Sequence, residues 1–436
     1  MAPRICFYGD DATGAADSLW NFTRCGLNAV LLTGVPRGRE VAVAEAYDVV
    51  GVAGVARALP TKEIEAEVRP ALEWFLELGV GAVQYKVCST FDSSEWTGSI
   101  GRAVEVLIDV FGSQVVPVLP AQPEYGRYTV FSNHFARFGG EFFRLDRHPI
   151  MSVHPTTPMG EADLVRHLSR QTRLPVSAVH LPELNAPGAG LEGWHERAQR
   201  ANGRGLVVID ALTDDDIAQA ARAILRLGPV PVRACVGSGG LSWGLAKALL
   251  KASVRPGRRA ACGDGEQEIV GQRGVLALSG SCSSHTWRQI EVASRHGWAT
   301  VRLSAGAGNM PDMSKVLRQL ETGHNVVCYT AAGPKRLVNG GVSAQSLGER
   351  FSAMIVKAQK AVGTKRVVVC GGDTSSYTVR GLGHVMLQVK GMAEQSVPVL
   401  EVEGPEGFKG LELVLKGGQM GTTNLFAKLG ASPPGM

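Results

Sequence analysis

Eight cysteines occur in 436 residues, at positions 6, 25, 88, 235, 262, 282, 328 and 370, and no two form a C-x-x-C pair. Several lie in apolar runs, where Cys is usually a small buried hydrophobe, so no disulfide framework is expected and the chain reads as one from a reducing compartment. No apolar run approaches the roughly 20 residues of a membrane-spanning helix. No leader pattern precedes the first strand, so the expected location is the cytoplasm. No block of like charge exists either. The 45 Lys and Arg are interspersed with 40 Asp and Glu, for a net charge of +5. That argues against a nucleic-acid groove and fits anionic small molecules only mildly. Two nucleotide fingerprints are missing: no G-x-G-x-x-G follows the first strand, and no loop ends in Gly-Lys-Ser/Thr.

What is there describes a folded, soluble protein. Hydrophobic residues make up 44% and charged residues 19% of the chain. Its length exceeds one ordinary core, so two domains are expected: residues 1–255, a linker at 256–273 and residues 274–436. Apolar strand-like runs alternate with helical patterns in both halves. The expected fold class is α/β, two domains each with a mostly parallel sheet flanked by helices, and a ligand cleft between them.

The first half is organised around Tyr8-Gly9-Asp10-Asp11-Ala12-Thr13-Gly14-Ala15-Ala16-Asp17. It follows the apolar Ile5-Cys6-Phe7-Tyr8 and precedes a helix read from Ser18 and closed by Gly26. Adjacent carboxylates at a strand-to-helix junction repel each other. Such a pair serves a metal, a polyhydroxy ligand or a proton to be removed, or else one Asp caps the helix and the other points into water. Residues 61–78 read as an amphipathic helix with Leu72, Phe75 and Leu76 on one side. The strand at 81–87 leads into Cys88-Ser89-Thr90-Phe91-Asp92-Ser93-Ser94. With Lys86, these hydroxyls and this carboxylate suit a hydroxylated acid; the plainer reading has Ser93 or Ser94 capping the next helix. Residues 121–158 read as irregular, with Arg127, Arg144, Arg147, His148 and His154 able to hold a carboxylate, or else as a solvent-exposed hairpin with its histidines in surface or structural roles. Residues 161–171 read as a helix. Asp214, Asp215 and Asp216 open another, where they complement its dipole. A glycine-rich turn at 237–240 opens one read from Ser242 to Leu250 and suits an anion.

The second half repeats one design three times. Apolar strands run into Ser279-Gly280-Ser281-Cys282-Ser283, into Gly371-Gly372-Asp373-Thr374-Ser375 and into Lys416-Gly417-Gly418-Gln419-Met420-Gly421. Small residues between strand and helix let backbone amides approach phosphate oxygens. Three such loops point to a nucleotide.

In combination and in order, these motifs resemble the four-carbon acid sugar kinases over essentially the whole chain. The resemblance implies a substrate domain for an acid sugar, an ATP domain, and phosphoryl transfer to a hydroxyl of a threonate-, erythronate- or oxo-tetronate-like acid. Asp10, Asp11, Thr13 and Gly14 match the acidic substrate motif, and one of the two aspartates is the expected base. Ser279 and Ser281 match the first ATP loop. Gly371, Gly372, Asp373 and Thr374 match the second, with Asp where Glu is usual. Lys416, Gly418 and Gly421 match the last, with Gly417 and Gln419 where Ser and Asn are common. Mg²⁺ is expected with ATP, and no metal site of the protein's own. Lys86, Ser89 and Thr90 keep a substrate motif in which Cys88 replaces the usual Asp and Asp92 the usual Arg. That exchange should change which acid fits or where its carboxylate lies, with Arg144, Arg147 or His154 expected to take over as carboxylate partner. A homo-oligomer is compatible with the sequence. The alternatives are a non-catalytic sugar-acid-binding protein, a nucleotide-dependent oxidoreductase and, more remotely, an enzyme using Cys88.

Overall fold

The computed structural model describes residues 4–36, 46–112, 115–154, 156–184, 204–226, 232–252, 271–303, 312–333, 343–404 and 406–430. The chain divides into two compact units, Met1–Val30 with Val35–Cys262, and Leu31–Gly34 with Gly263–Met436. The linker read at 256–273 lies outside the described residues as far as 270.

The first unit contains β1 (Ile5–Gly9), α1 (Ala12–Arg24), β2 (Ala29–Leu32), β3 (Val49–Ala53), α2 (Ile64–Glu77), β4 (Ala82–Lys86), α3 (Ile100–Phe111), β5 (Val115–Leu119), β6 (Arg127–Val130), β7 (Asn133–Phe138), β8 (Glu141–Arg144), α4 (Leu164–Ser169), β9 (Val176–Val179), α5 (Leu181–Leu184), β10 (Gly205–Ile209), α6 (Asp214–Arg226), β11 (Arg233–Gly237) and α7 (Gly239–Ala252). Its main sheet is parallel, in the order β3-β1-β4-β11-β5-β10-β9. β1, β3, β4 and β10 are buried along their whole length, which is why they read as continuous apolar runs. From β1 the chain moves to β3 on one side and then to β4 on the other. The order thus reverses between β1 and β4, and ligands of such sheets bind beyond the strand ends at that point.

Several local expectations change. The first helix starts at Ala12, because Asp11 caps it. Ser99, not Ser93 or Ser94, caps α3. Leu76 is 43% exposed while Leu72 and Phe75 are buried. The helix read at 161–171 is the shorter Leu164–Ser169, and the one read from Ser242 begins at Gly239. The stretch read as irregular holds an antiparallel sheet, β6-β7-β8. Its first turn places Phe131 and Ser132 at φ 46° and 63°.

The second unit contains β12 (Leu276–Ser279), α8 (Ser284–Arg295), β13 (Ala299–Arg302), α9 (Ser314–Glu321), β14 (Val326–Tyr329), α10 (Ala344–Val362), β15 (Arg366–Cys370), α11 (Gly372–Gly381), β16 (Met386–Glu394), β17 (Val397–Glu403), β18 (Glu412–Lys416) and α12 (Leu425–Leu429). Strands β13-β14-β12-β15-β18 are parallel, and β17 and β16 continue antiparallel. Leu31 and Leu32 belong to this unit and pair with Leu387 and Met386 of β16. Its order reverses between β12 and β15. The three glycine loops leave the carboxyl ends of the adjacent strands β12, β15 and β18.

Candidate active site

In the first unit the backbone N–H of Asp10 donates to the Lys86 carbonyl at 2.9 Å, joining the ends of β1 and β4. Asp11 is the N-cap of α1. Its carboxylate accepts the Gly14 N–H at 2.8 Å and the Thr13 hydroxyl, and pairs with Arg57 at 3.0 Å. Burial works against its charge, but Arg57, Lys86 and these hydrogen bonds hold its carboxyl below the usual range. The capping reading therefore holds for Asp11. Asp10 does not point into water: it is 1% exposed. Its Oδ1 is buried without a hydrogen-bond partner among the described residues. Burial first, and then the neighbouring charge of Asp11, push its pKa up to about 8 against the pull of Arg57 and Lys86. Two adjacent carboxylates thus have opposite characters, one fixed as an anion and one poised to hold a proton.

Lys86 is buried, with Nζ donating to the Val87 carbonyl at 2.9 Å and lying 3.8 Å from Asp17 Oδ2. Asp17 also accepts from Asn21 at 3.0 Å, Tyr125 at 3.1 Å and Gln122 at 3.3 Å. Gly239, first residue of α7, comes so close that a Cβ there would lie 2.1 Å from Asp17 Oδ2.

The loop after β4 folds on itself. Thr90 donates to Asp92 at 2.6 Å and lies 3.0 Å from Cys88 Sγ. Phe91 adopts φ 57°, unusual for a bulky residue, with its ring fully buried near His167. His134 receives the Thr129 hydroxyl at Nδ1 (2.9 Å) and donates from Nε2 to the Ser89 carbonyl (2.8 Å). Burial, followed by the charge of Asp92, pushes the Cys88 thiol up to about 12, far from a reactive thiolate. Arg144 is taken by Asp146 at 2.7 Å, and His154 accepts the Thr157 N–H at 3.2 Å. Among the described residues neither is bonded to or paired with Asp10, Asp11 or Lys86. Arg57 and Asp17 belong to this cluster and were not singled out from the sequence. Asp17 stands in the motif quoted above, one helical turn and a half after Asp11; nothing local marks Arg57.

In the second unit the three loops meet. Ser279 Oγ is buried without a partner among the described residues. A Cβ on Gly280 would lie 2.6 Å from Thr374 Oγ1, and one on Gly418 3.0 Å from Ser281 Oγ. Gly371 has φ 116° and leaves the first turn of α11, which carries Asp373 and Thr374, without a side-chain cap among the described residues. Lys416 is fully buried. Its Nζ donates to Thr286 Oγ1 and to the Gly417 carbonyl, each at 3.0 Å, and burial lowers its pKa. Gly421, at φ 77°, gives its carbonyl to His285 at 2.7 Å, and Gln289 donates to the carbonyls of Met420 and Thr422. Backbone without side chains, a helix start without a side-chain cap among the described residues and one buried lysine meet here, an arrangement that suits phosphate oxygens. No group of three His, Cys, Asp or Glu side chains able to hold a metal occurs among the described residues, and no helix there is long and apolar enough to cross a membrane.

Each unit is thus an α/β sheet with a switch point, the first carrying a buried carboxylate and the second glycine loops suited to phosphate oxygens. Residues 5–245 match the family model of a sugar-binding N-terminal domain, and residues 276–426 that of a nucleotide-binding C-terminal domain. A 3-oxo-isoapionate kinase of Paraburkholderia graminis is 32% identical over 97% of this chain and 93% of its own. A 3-oxo-tetronate kinase of Methylobacterium radiotolerans is 33% identical over 96% of both chains. A solved Salmonella typhimurium structure covers 97% of this chain and 98% of its own at TM-score 0.73 and 22% identity, which shows the shared fold. The chain belongs to the four-carbon acid sugar kinases. It is an ATP-dependent sugar-acid kinase.

Proposed function

We propose that this enzyme transfers the γ-phosphoryl group of ATP to a hydroxyl of a four-carbon sugar acid or a related oxo or branched acid, with Asp10 as the base. The observation that carries the assignment of Asp10 is its buried, unpartnered Oδ1 beside an aspartate already committed to Arg57 and the α1 cap. Asp10 accepts the proton of the attacking hydroxyl, so that an alkoxide never forms free. Asp11 keeps its charge, fixes the start of α1 and holds Arg57. Lys86 offsets the carboxylates around it and, with Thr13, Gly14, Ser89, Thr90 and Asp92, lines the position of the acid.

On the nucleotide side, Ser279, Ser281, Gly371, Gly372, Asp373, Thr374, Lys416, Gly418 and Gly421 hold the phosphates, chiefly through backbone amides and Lys416. The glycine cradle and the orphaned Ser279 hydroxyl fit that group. Mg²⁺ comes with the nucleotide and neutralises phosphate charge; Asp373, on the first turn of α11, is the carboxylate of these loops that suits it. A cytoplasmic location accords with this substrate pair. The experiment is a coupled ATP-to-ADP assay with Mg²⁺ against four- and five-carbon sugar acids, including oxo and branched forms. Turnover of at least one member is expected. Silence across the panel with no ATP binding would remove the kinase reading.

A further inference from the structure

The first unit gathers carboxylates at the ends of β1 and β4: Asp10, Asp11 and Asp92 are buried, and Asp17 is nearly so. An acid substrate brings one more negative charge, so its carboxylate requires a cation. The nearby cations are mostly committed. Arg57 pairs with Asp11, and Lys86 sits between the Val87 carbonyl and Asp17. Arg144 is paired with Asp146. His134 is locked between Thr129 and Ser89, and His148 receives the N–H groups of Ile150 and Met151 on Nδ1.

Arg127, the first residue of β6, differs. Its hydrogen bonds run through Nη1, to the carbonyls of Tyr125 at 2.7 Å and of Gly126 and Arg137 at 3.4 Å. Its Nε is buried and has no partner among the described residues. The strand carrying it is fixed on both sides. Arg127 exchanges backbone hydrogen bonds with Gln122, at 3.1 and 2.9 Å, and Gln122 reaches Asp17. Two residues on, Thr129 holds His134, which holds the Ser89 carbonyl of the loop bearing Asp92. The backbone around Arg127 is thus tied through Gln122 to Asp17 and through Thr129 and His134 to the 88–94 loop, and its guanidinium feels the charge of Asp92. Nε and Nη2 form the edge on which a guanidinium takes a carboxylate side-on with two parallel hydrogen bonds.

We propose that Arg127 anchors the substrate's carboxylate through that edge, and that Asp92 repels the same carboxylate from the 88–94 loop and so directs it toward β6. The enzyme is thereby selective for a hydroxy acid over the corresponding uncharged lactone or alditol. The inference rests on the kinase reading above, and names the specificity-determining residue of its acid site. It replaces Arg144 and His154, which were expected in that role.

The test is steady-state kinetics of Arg127→Gln, Arg127→Lys and Asp92→Asn with the best acid of the panel and with its lactone or alditol, alongside melting curves and the KM for ATP. Arg127→Gln is expected to raise the acid's KM roughly ten- to a hundredfold, the span of a lost charged hydrogen bond, while the KM for ATP holds. Its preference for acid over uncharged analogue should fall by a similar factor. Arg127→Lys, with charge but no fork, should fall between. Asp92→Asn should lower the acid's KM, a change that loss of structure does not produce, and it decides the matter if the Arg127 variants do not fold. An unchanged acid KM in a folded Arg127→Gln, or an Asp92→Asn that binds the acid no better, overturns this assignment and leaves the kinase intact. A wild type that phosphorylates no acid overturns the kinase reading itself.

Discussion

The Arg57 guanidinium pairs with Asp11 at 3.0 Å, while its backbone N–H donates to the Asp10 carbonyl at 3.0 Å. Arg57 pulls on both carboxylates but pairs directly with Asp11, which is stabilised as an anion, while at Asp10 burial and the charge of Asp11 prevail. The asymmetry distinguishes a capping aspartate from one that suits a base, and it comes from backbone placement at the end of β1.

Asp10 should destabilise the fold at alkaline pH. Its folded pKa, about 8, lies above the roughly 3.9 of an unfolded Asp. The protonated form is thus favoured in the fold, and the associated stability is full below about pH 4 and lost as pH rises through about 8. Asp10→Asn removes the loss. Its melting temperature should match wild type near pH 4 and exceed it by several degrees at pH 9, at roughly 2–4 °C for each kcal/mol. Equal melting at both values would contradict the buried-carboxylate description.

Acid should destabilise the first unit in a different window. Burial pushes His134, His148 and His167 each down to about 4, below the unfolded value of about 6.5. Their stability is full above about 6.5 and lost as pH falls toward 4. For His134 and His167 the slope is at most about 1.4 kcal/mol per pH unit each. Replacing His167, which donates to Ser93 Oγ at 2.9 Å, by Gln should flatten denaturant-derived stability across that window. An unaltered slope would show that this histidine does not titrate on unfolding.

The nucleotide loops should respond to one methyl group. Gly280→Ala brings a Cβ 2.6 Å from Thr374 Oγ1 and pushes the first two loops apart. Lys416→Met keeps the buried volume and deletes the charge. Calorimetry should show each losing ATP affinity by tenfold or more, the span of a lost charged hydrogen bond, with acid binding unchanged. Normal ATP affinity in both variants would place the phosphates elsewhere.

Much of this was readable in the chain. Buried parallel strands announce themselves as apolar runs, and loops such as Ser279-Gly280-Ser281 and Gly371-Gly372-Asp373 carry their own small-residue signature. What escaped depends on distance along the chain. Arg57 reaches Asp11 from a separate element, and no local pattern marks it; Arg127 stood in a stretch whose Arg and His residues read as carboxylate partners, with nothing local to choose among them. A hairpin was one of the two readings of this stretch, but the position of the β6–β7 turn was hidden because it lacks the Asn or Gly that left-handed backbone usually demands. Phe131 and Ser132 take that conformation with their N–H groups held by the buried Asp210 carboxylate at 2.6 and 2.9 Å. The strand segment that Leu31 and Leu32 lend to the second unit was equally unreadable, since its partner lies more than 350 residues away.

The most direct test of the central claim is the pH dependence of kcat/KM for the best acid, in wild type, Asp10→Asn and Asp11→Asn. Wild type should show a rising limb governed by one ionisation near 8. Asp10→Asn should lose that limb and about 10²- to 10⁴-fold in kcat, the usual worth of a general base. Asp11→Asn, which still caps α1, should keep the limb. An Asp10→Asn enzyme with near-normal kcat and the wild-type profile would contradict the account.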